Sequence, residues 1–391
     1  MIFSRRTPAD LAENPLARAL RERSDPPDDL TFSNPTLAGL SPSDEEVREA
    51  FARGPSGIYR PAPTGSQSAR EAVSAYYARR GADIRPERLV LAASTSEAYG
   101  YLFKLLANAG DTVLIPEPSY PLFEHLIQLE GLVEMAYPIR PSPLDRRWSI
   151  DLSGIERGLD AGARTVLSVH PNNPTGNFVK PRERKALMAL LDPARHALIS
   201  DEVFFDFPVE GGERAGIAAA APEGPLAFSL GGLSKACGLP QVKLAWIAVG
   251  GDPAAAAAAL ERLEIVADTY LSVSTPVQEA LPRLFEIGET AAERIRRRII
   301  GNLAALDRAI GASAEVSRHP VEGGWSAVVQ VADWRGPDIA LFLLETAGVL
   351  VQPAWFFNWA REGAFVVSLL PESASFEECC RRVFAAITGR R

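Results

Sequence analysis

Gly231-Gly232-Leu233-Ser234-Lys235-Ala236-Cys237-Gly238-Leu239-Pro240 places a lysine among small residues, directly after the apolar run 225–230. A solvated lysine needs no glycines beside it. A lysine close to a planar ligand does, because side chains at those positions would block the ligand's approach. This stretch alone leaves two interpretations open, a ligand-anchoring Lys235 and a surface lysine in a glycine-rich turn.

The rest of the chain predicts an α/β fold around this lysine. Apolar runs of strand length alternate with helical patterns from about residue 89 onward, and near-continuous apolar strands favour a mostly parallel sheet with helices on both faces. After Gly323-Gly324 the pattern changes to a smaller α+β unit. We expect a large domain over residues 45–270 and a small domain formed by residues 1–44 and 271–391. The predicted strands of the large sheet are 89–92, 112–115, 165–169, 197–199, 226–230 and 244–249.

Bulk composition limits the class of function. A chain of 391 residues is long enough for two cores. The net charge of -8 argues against nucleic-acid binding. The three cysteines form no disulfide framework or metal-ligand spacing, so we expect reduced thiols and no metal. No signal-peptide h-region and no apolar run of about 18 residues is present, so we expect a cytoplasmic protein without a membrane partner.

Three further stretches place polar groups at predicted strand ends. Asn173-Pro174-Thr175-Gly176 and the pair Asp201-Glu202 each follow an apolar strand, where parallel sheets bind ligands. Ser94-Thr95-Ser96 lies between a strand and a helix, and a helix N-terminus with free N–H groups can hold a phosphate. Together with Lys235 they supply an amide, a carboxylate, an anion site and an amine.

These motifs resemble those of the class I/II aminotransferases, the fold-type I pyridoxal-phosphate enzymes. Asn173-Pro174-Thr175-Gly176 matches the family's NPTG motif, Asp201-Glu202 its acidic pair, and 117–121 its P-x-Y-P segment. The lysine box matches around Lys235. The resemblance covers most of the chain and implies the fold-type I architecture, with pyridoxal 5'-phosphate as cofactor.

The resemblance also implies roles at individual positions. Lys235 would form the Schiff base and move the proton, and Asp201 would pair with the ring nitrogen. Asn173 would bond the phenolic oxygen and Tyr120 would stack on the ring. The remaining cofactor contacts that it implies are Ser94, Thr95, Ser96, Ser234, Lys243 and Tyr59. Tyr59 would reach the phosphate of a neighbouring subunit, which implies a homodimer with shared sites.

Three cofactor positions depart from the family pattern. Lys243 stands where an arginine usually holds the phosphate, and lysine lacks the bidentate fork. Phe204 replaces a tyrosine that usually bonds the phenolic oxygen, which leaves Asn173 alone in that role. Gly232 occupies a position often held by a serine, for which Ser229 or Ser234 could compensate.

The largest departure concerns the substrate. In the strand 365–369, Val366 stands where the family carries the arginine that binds the substrate carboxylate. Two explanations stay open: another residue replaces the arginine, or the substrate has no α-carboxylate. The candidate substitutes are Asn34, Arg60, Arg361 and Arg318.

The resemblance implies an aminotransferase that moves an amino group between an amino donor, with an amino acid expected, and a keto acid. Other reactions of the same cofactor, C–S lyase chemistry or decarboxylation, stay open because the fold does not choose among them. A cofactor-binding sensor without turnover is the alternative from another class of protein.

Overall fold

The computed structural model describes residues 2–8, 11–52, 60–271, 273–336, 338–359 and 361–390. Its helices are α1 (Pro15–Glu22), α2 (Asp44–Ala52), α3 (Gln67–Ala78), α4 (Thr95–Leu106), α5 (Leu122–Leu129), α6 (Leu152–Asp160), α7 (Pro181–Leu190), α8 (Leu233–Ala236), α9 (Pro253–Tyr270), α10 (Thr275–Ile310), α11 (Ile339–Ala347) and α12 (Ser373–Thr388). Short 3-10 turns lie at Pro86–Arg88, Ala218–Ala220 and Ala354–Phe357.

The strands form a large sheet, a small sheet and one short pair. In chain order they are β1 (Asp28–Asp29), β2 (Leu89–Ala92), β3 (Thr112–Glu117), β4 (Val133–Pro141), β5 (Trp148–Ile150), β6 (Thr165–Val169), β7 (Ala197–Asp201), β8 (Leu226–Gly232), β9 (Ala245–Gly250), β10 (Val316–Arg318), β11 (Ser326–Val331), β12 (Val349–Leu350), β13 (Gln352–Pro353) and β14 (Ala364–Ser368). β1 pairs with β12.

The large sheet has the strand order β2-β9-β8-β7-β6-β3-β4-β5. Its middle strands run parallel, whereas β9 and β5 run antiparallel to their neighbours. Strands β2, β6, β7 and β8 therefore end at the same edge. The sequence segments that follow them, including Ser94–Ser96, Asp201 and Lys235, meet at that edge.

Helices cover both faces of the large sheet. On one face, α4 and α9 pack against side chains such as Phe228 and Ile247. On the other, α3 and α10 pack around Trp246, and α6 and α7 around Val166. Burial of both faces is why these strands read as continuous apolar runs. The predicted α/β fold is confirmed.

The small sheet has the order β10-β11-β14-β13 and is antiparallel. Residues of one face, among them Val329 and Phe365, pack with α10, α11 and α12 in one apolar core. The opposite face carries Ser326 and Val328 on β11 and Val366 on β14. The domain boundaries at residues 44/45 and 270/271 stay a prediction.

The structure corrects the explanation given for Gly231. A Cβ at Gly231 would lie 2.6 Å from the Trp246 ring, which pairs with it across β8 and β9. A Cβ at Gly232 would lie 3.2 Å from the Cβ of Ala245. Close packing between strands therefore explains Gly231, while Gly232 is the glycine that borders the cleft described below.

We predict that Gly231→Ala lowers the free energy of unfolding by about 1–3 kcal/mol, because the added methyl group overpacks the core against Trp246. The matched control is Gly216→Ala, since a Cβ at Gly216 meets nothing within 4 Å. Thermal and urea unfolding of the two variants provide the measurement. Equal stability of both variants would contradict the packing argument.

Candidate active site

A cleft of about 400 Å³ lies at the strand edge where the predicted motifs meet. One side comes from the large sheet and the turns after its strands, and the other from the N-terminal segment and the small sheet. The predicted cofactor residues that line it are Ser94, Thr95, Ser96, Tyr120, Asn173, Asp201, Phe204, Ser234, Lys235 and Lys243. The structure thus brings all of these residues into one cleft.

Lys235 projects into this cleft from α8, which begins directly after β8. Its Nζ lies 4.7 Å from the ring centroid of Trp325 and 5.4 Å from that of Phe204. Within the described residues Nζ makes no hydrogen bond and no ion pair. Burial lowers the pKa of Lys235 to about 8, and the Asp201 carboxylate opposes this shift. A neutral amine is therefore accessible near physiological pH.

Asp201 ends β7 and is 7% exposed. Its Oδ2 accepts a hydrogen bond from the Tyr99 hydroxyl at 2.8 Å, and its Oδ1 accepts one from the Val203 N–H at 3.1 Å. Burial raises the pKa of Asp201, and the two donors and Lys235 act against that rise. Each oxygen retains lone-pair capacity, so the carboxylate can accept a further N–H from a ligand.

The N-terminus of α4 and the end of β8 form one end of the cleft. Ser94 caps α4 by accepting the Glu97 N–H at 3.1 Å. The Thr95 and Ser96 hydroxyls make no hydrogen bond within the described part of the chain. Lys243 adds a positive charge beside them. Hydroxyls, helix N–H groups and a cation suit a phosphate.

Strand register explains why these groups meet. Ala245 pairs with Ala92 on one side and with Gly232 on the other. Lys243, two residues before Ala245, therefore lies between the segments that follow β2 and β8. Ser234 lines the cleft, whereas the Ser229 Oγ accepts the Ala219 N–H at 2.9 Å and does not line it.

Asn173 faces the cleft because the turn around it is held by its neighbour. The Asn172 amide donates to the Pro118 carbonyl at 2.9 Å and to the Thr175 hydroxyl at 2.7 Å. The Asn173 amide makes no side-chain hydrogen bond to any described residue. It is free to bind a ligand oxygen, and Phe204 opposite offers no hydroxyl for that purpose.

Two of the proposed substitutes for the missing arginine lie elsewhere. Arg361 lines two other cavities, and its Nε donates to the Gln330 Oε1 at 2.7 Å. Arg318 pairs with Glu210 at 2.9 Å and with Asp307 at 2.6 Å. Neither guanidinium reaches the cleft, so neither replaces the arginine there.

The other predicted substrate residues are also absent from the cleft wall. The Asn34 side chain accepts the Thr36 N–H at 3.0 Å and so closes a local turn. Arg60 is exposed and does not line the cleft. Tyr59 lies outside the described residues.

Val366 is 0% exposed and packs with Val328 and Phe357. Phe357 lines the cleft and Val366 does not. The position where the resemblance expects an arginine is therefore covered by an aromatic ring.

Sequence reasoning missed Tyr99 and Trp325. Tyr99 lies in the middle of α4, and its contact with Asp201 spans 102 residues of sequence, so no local signal marked it. Trp325 follows Gly323-Gly324, and its Nε1–H is buried without a partner among the described residues. His170, in contrast, uses both ring nitrogens, accepting from the Val179 N–H and bonding the Ala215 carbonyl.

The residues present fit pyridoxal 5'-phosphate. One cleft contains an amine and an amide without partners among the described residues, a buried carboxylate with spare acceptor capacity, and a cationic end rich in hydroxyls. Lys235, Asp201 and Asn173 would hold the ring, and the α4 N-terminus with Lys243 would hold the phosphate.

A family model described as aminotransferase class I and II matches residues 29–383. Tyrosine aminotransferase of Mus musculus is 28% identical over 224 residues, which cover 56% of this chain and 48% of that protein. Glutamate-pyruvate aminotransferase AlaA of Escherichia coli strain K12 is 28% identical over 269 residues, 68% of this chain and 65% of AlaA. The chain thus spans about half the length of the tyrosine aminotransferase and just under two thirds of AlaA.

Solved structures share the fold over nearly the whole chain. Alanine aminotransferase from Pyrococcus furiosus superposes with a TM-score of 0.84 at 22% identity, covering 96% of this chain and 95% of that one. Tyrosine aminotransferase from Leishmania infantum gives 0.80 at 19% identity, covering 97% and 98%. At these identities the likeness establishes the fold.

Two features are absent from the described residues. These residues contain no helix with the length and hydropathy of a membrane span. They also contain no group of three or more His, Cys, Asp or Glu side chains placed to hold a metal ion.

We predict that Tyr99→Phe weakens binding of pyridoxal 5'-phosphate to the apoprotein by about tenfold, because a hydrogen bond to a charged carboxylate is lost. An analogue with a C–H in place of the ring nitrogen should lose less than about threefold, since it makes no bond to Asp201. Equilibrium dialysis measures both. The control is Tyr137→Phe, which removes a buried hydroxyl bonded to the Leu167 carbonyl outside the cleft. Equal losses for cofactor and analogue would contradict a role through Asp201.

We also predict that Lys235 of the apoprotein becomes reactive at unusually low pH. The amine reacts only when neutral, and burial brings its pKa to about 8. Pulse acetylation across pH 6–11, read by peptide mass spectrometry, should show half-maximal labelling near that value. The exposed Lys185 serves as the reference in the same digest. Half-maximal labelling of Lys235 above pH 10 would contradict the prediction.

Proposed function

Because this chain belongs to the class I and II aminotransferases, we propose that it transfers an amino group from a primary amine donor to a carbonyl acceptor with pyridoxal 5'-phosphate. In the family the usual pair is an amino acid and a keto acid. The observation that carries the proposal is Lys235, a buried amine that has no partner among the described residues and lies in the same cleft as the buried Asp201.

When bound, pyridoxal phosphate supplies an aldehyde that condenses with amines and a protonated ring that withdraws electrons from the substrate Cα. The Lys235 Nζ anchors that aldehyde. As a free amine, the same Nζ would be the base that takes the proton from the substrate Cα and the acid that later returns it. A pKa near 8 suits both directions, since efficient proton transfer needs a base whose pKa lies near the working pH.

Asp201 keeps the ring nitrogen protonated, and Tyr99 stabilises the charged form of that carboxylate. The amide of Asn173 donates to the phenolic oxygen, a role it fills without help from Phe204. Ser94, Thr95, Ser96, Ser234 and Lys243 hold the phosphate. Tyr120, which lines the cleft beside Phe123, stacks on the ring.

We further propose a homodimer in the cytoplasm, with Tyr59 reaching the neighbouring site. Exposed apolar side chains on α5 and β4 support an interface. Leu122, Leu129, Val133 and Met135 are 42%, 48%, 52% and 39% exposed, respectively. Large apolar side chains this exposed on two adjoining elements are typical of a surface that another protein covers.

Incubation of the holoprotein with a panel of amino acids and primary amines tests the reaction class. Conversion of the cofactor to its amine form, with a carbonyl product, supports transamination. Release of ammonia with pyruvate indicates a lyase, carbon dioxide indicates a decarboxylase, and a spectral shift without turnover indicates a sensor. Each of the last three results would contradict the proposal.

We predict that Lys235→Ala abolishes the cofactor absorbance of the lysine adduct and lowers the rate of amino transfer by at least about a thousandfold. A positioned base alone contributes ~10²–10⁴-fold, and the anchor is lost as well. Single-turnover absorbance with the best donor is the measurement. Lys185→Ala, an exposed lysine outside the cleft, is the control. Persistence of the adduct in Lys235→Ala would refute the assignment.

A further inference from the structure

The two sides of the cleft differ in charge. The sheet side contains Lys235 and Lys243, and no other cation lines the cleft among the described residues. The small-sheet side is neutral. It is formed by Thr31, Ser33, Trp325, Ser326, Gln352, Phe356 and Phe357.

Lys243 is placed for the phosphate rather than for a substrate. It precedes β9, whose Ala245 pairs with Ala92, the last residue of β2, and the segment Ser94–Ser96 begins two residues further on. The neutral wall belongs instead to the small sheet and the N-terminal segment. Lys243 is therefore the cation that would balance the phosphate, and it is not available for a substrate carboxylate.

Arginines near the neutral wall are bound to backbone carbonyls. Arg294 donates to the Ser41 carbonyl, 2.6 Å away, and Arg298 to those of Leu370 and Pro371 at 3.1 and 3.0 Å. Together with Arg361 at Gln330, they are held by partners outside the cleft. The guanidiniums of Arg294, Arg298 and Arg361 are therefore not free to turn toward a substrate there.

The neutral wall is also apolar around Val366. Val328 and Val366 face each other across β11 and β14, and Phe357 lies over both. Gln352 pairs with Val366 across β13 and β14 and lines the cleft. Beside Val366 the wall therefore presents the amide of Gln352 and the ring of Phe357 to the cleft. A carboxylate placed against it would lose hydration without gaining an ion pair.

We propose that the amino donor of this enzyme is a primary amine without an α-carboxylate, in which a hydrogen, an alkyl group or a hydroxymethyl group takes the place of that carboxylate. The inference rests on the proposed amino transfer and narrows its substrate class. Hydroxyls of Ser33 and Ser326 and the amide of Gln352 can bond an alcohol oxygen, while Phe356 and Phe357 suit an apolar chain. The acceptor binds against the same wall, so it is correspondingly an aldehyde or ketone without a carboxylate.

The test compares matched donors on the holoprotein. The trios are L-phenylalanine, L-phenylalaninol and 2-phenylethylamine, and L-leucine, L-leucinol and isoamylamine. Single-turnover conversion of the cofactor absorbance gives the rate for each. We expect the alcohol or the amine to react at least about tenfold faster than the amino acid, because the amino acid lacks a charge-assisted bond to its carboxylate.

The outcomes separate this inference from the proposed function. Amino acids that react as fast as their matched amines, or faster, overturn the inference and leave amino transfer intact. No conversion with any of the six donors overturns the proposed function, and the inference falls with it.

Variants at Gln352 test the mechanism of discrimination. Gln352→Arg places a guanidinium on the cleft wall and should raise the amino-acid rate about tenfold relative to the amine rate. Gln352→Met, similar in length and uncharged, should not raise that ratio. Val366→Arg is less informative, because Val366 is fully buried and the variant can fail by misfolding.

A cation from a neighbouring subunit is tested through Arg60, which is exposed and adjacent to Tyr59. If Arg60 bound the carboxylate in a dimer, the wild type would prefer amino acids, and Arg60→Gln would remove that preference. This pair of results would overturn the inference. A wild-type preference for amines that Arg60→Gln leaves unchanged supports it.

Discussion

This site depends on the burial of two groups of opposite charge, an amine and a carboxylate, that make no direct ion pair. Asp201 ends β7 and Lys235 lies in the short helix after β8, and at both positions desolvation penalises the charged form. Hydrogen bonds from the Tyr99 hydroxyl and the Val203 N–H offset part of the desolvation cost of Asp201. The attraction between Lys235 and Asp201 offsets part of the cost for both groups. An arrangement of this kind is costly without a ligand, because each group retains bonding capacity that a ligand can satisfy.

Some buried polar side chains behind the sheet bind neighbouring segments and so help to hold these groups in place. Glu322 is 2% exposed, pairs with Lys180 at 2.9 Å and accepts the Phe178 N–H at 2.8 Å. Burial raises the pKa of Glu202, next to Asp201, to about 7, and Arg184 acts against that shift. Such contacts fix the turns after the strands, and their geometry limits how far the cleft residues can move.

Local patterns predicted much of this architecture. Helix starts carry local signals, since Ser43 and Glu46 form a capping box at the start of α2, and Asp252 with Pro253 opens α9. β4 and β5 were missed. The first half of β4 is exposed, prolines interrupt it, and its pairing with β3 cannot be read from local sequence.

The cleft could be predicted only in part, because its motifs follow strands but some of its contacts do not. Asp201 ends an apolar strand, and Asn173 and Lys235 lie a few residues after one, so their meeting at one edge follows from a parallel sheet. The Tyr99–Asp201 bond and the cover of Phe357 over Val366 depend on tertiary packing between distant segments.

An arginine at position 366 would need an open path to the cleft, whereas valine needs an apolar neighbour to exclude water. Phe357 is an apolar neighbour for Val366 and blocks the path from position 366 to the cleft. Residues 357 and 366 therefore determine together which substrates the wall accepts. The sheet that holds the cofactor side contributes nothing to that small cluster, which explains how substrate recognition can change while the anchoring lysine and its carboxylate stay in place.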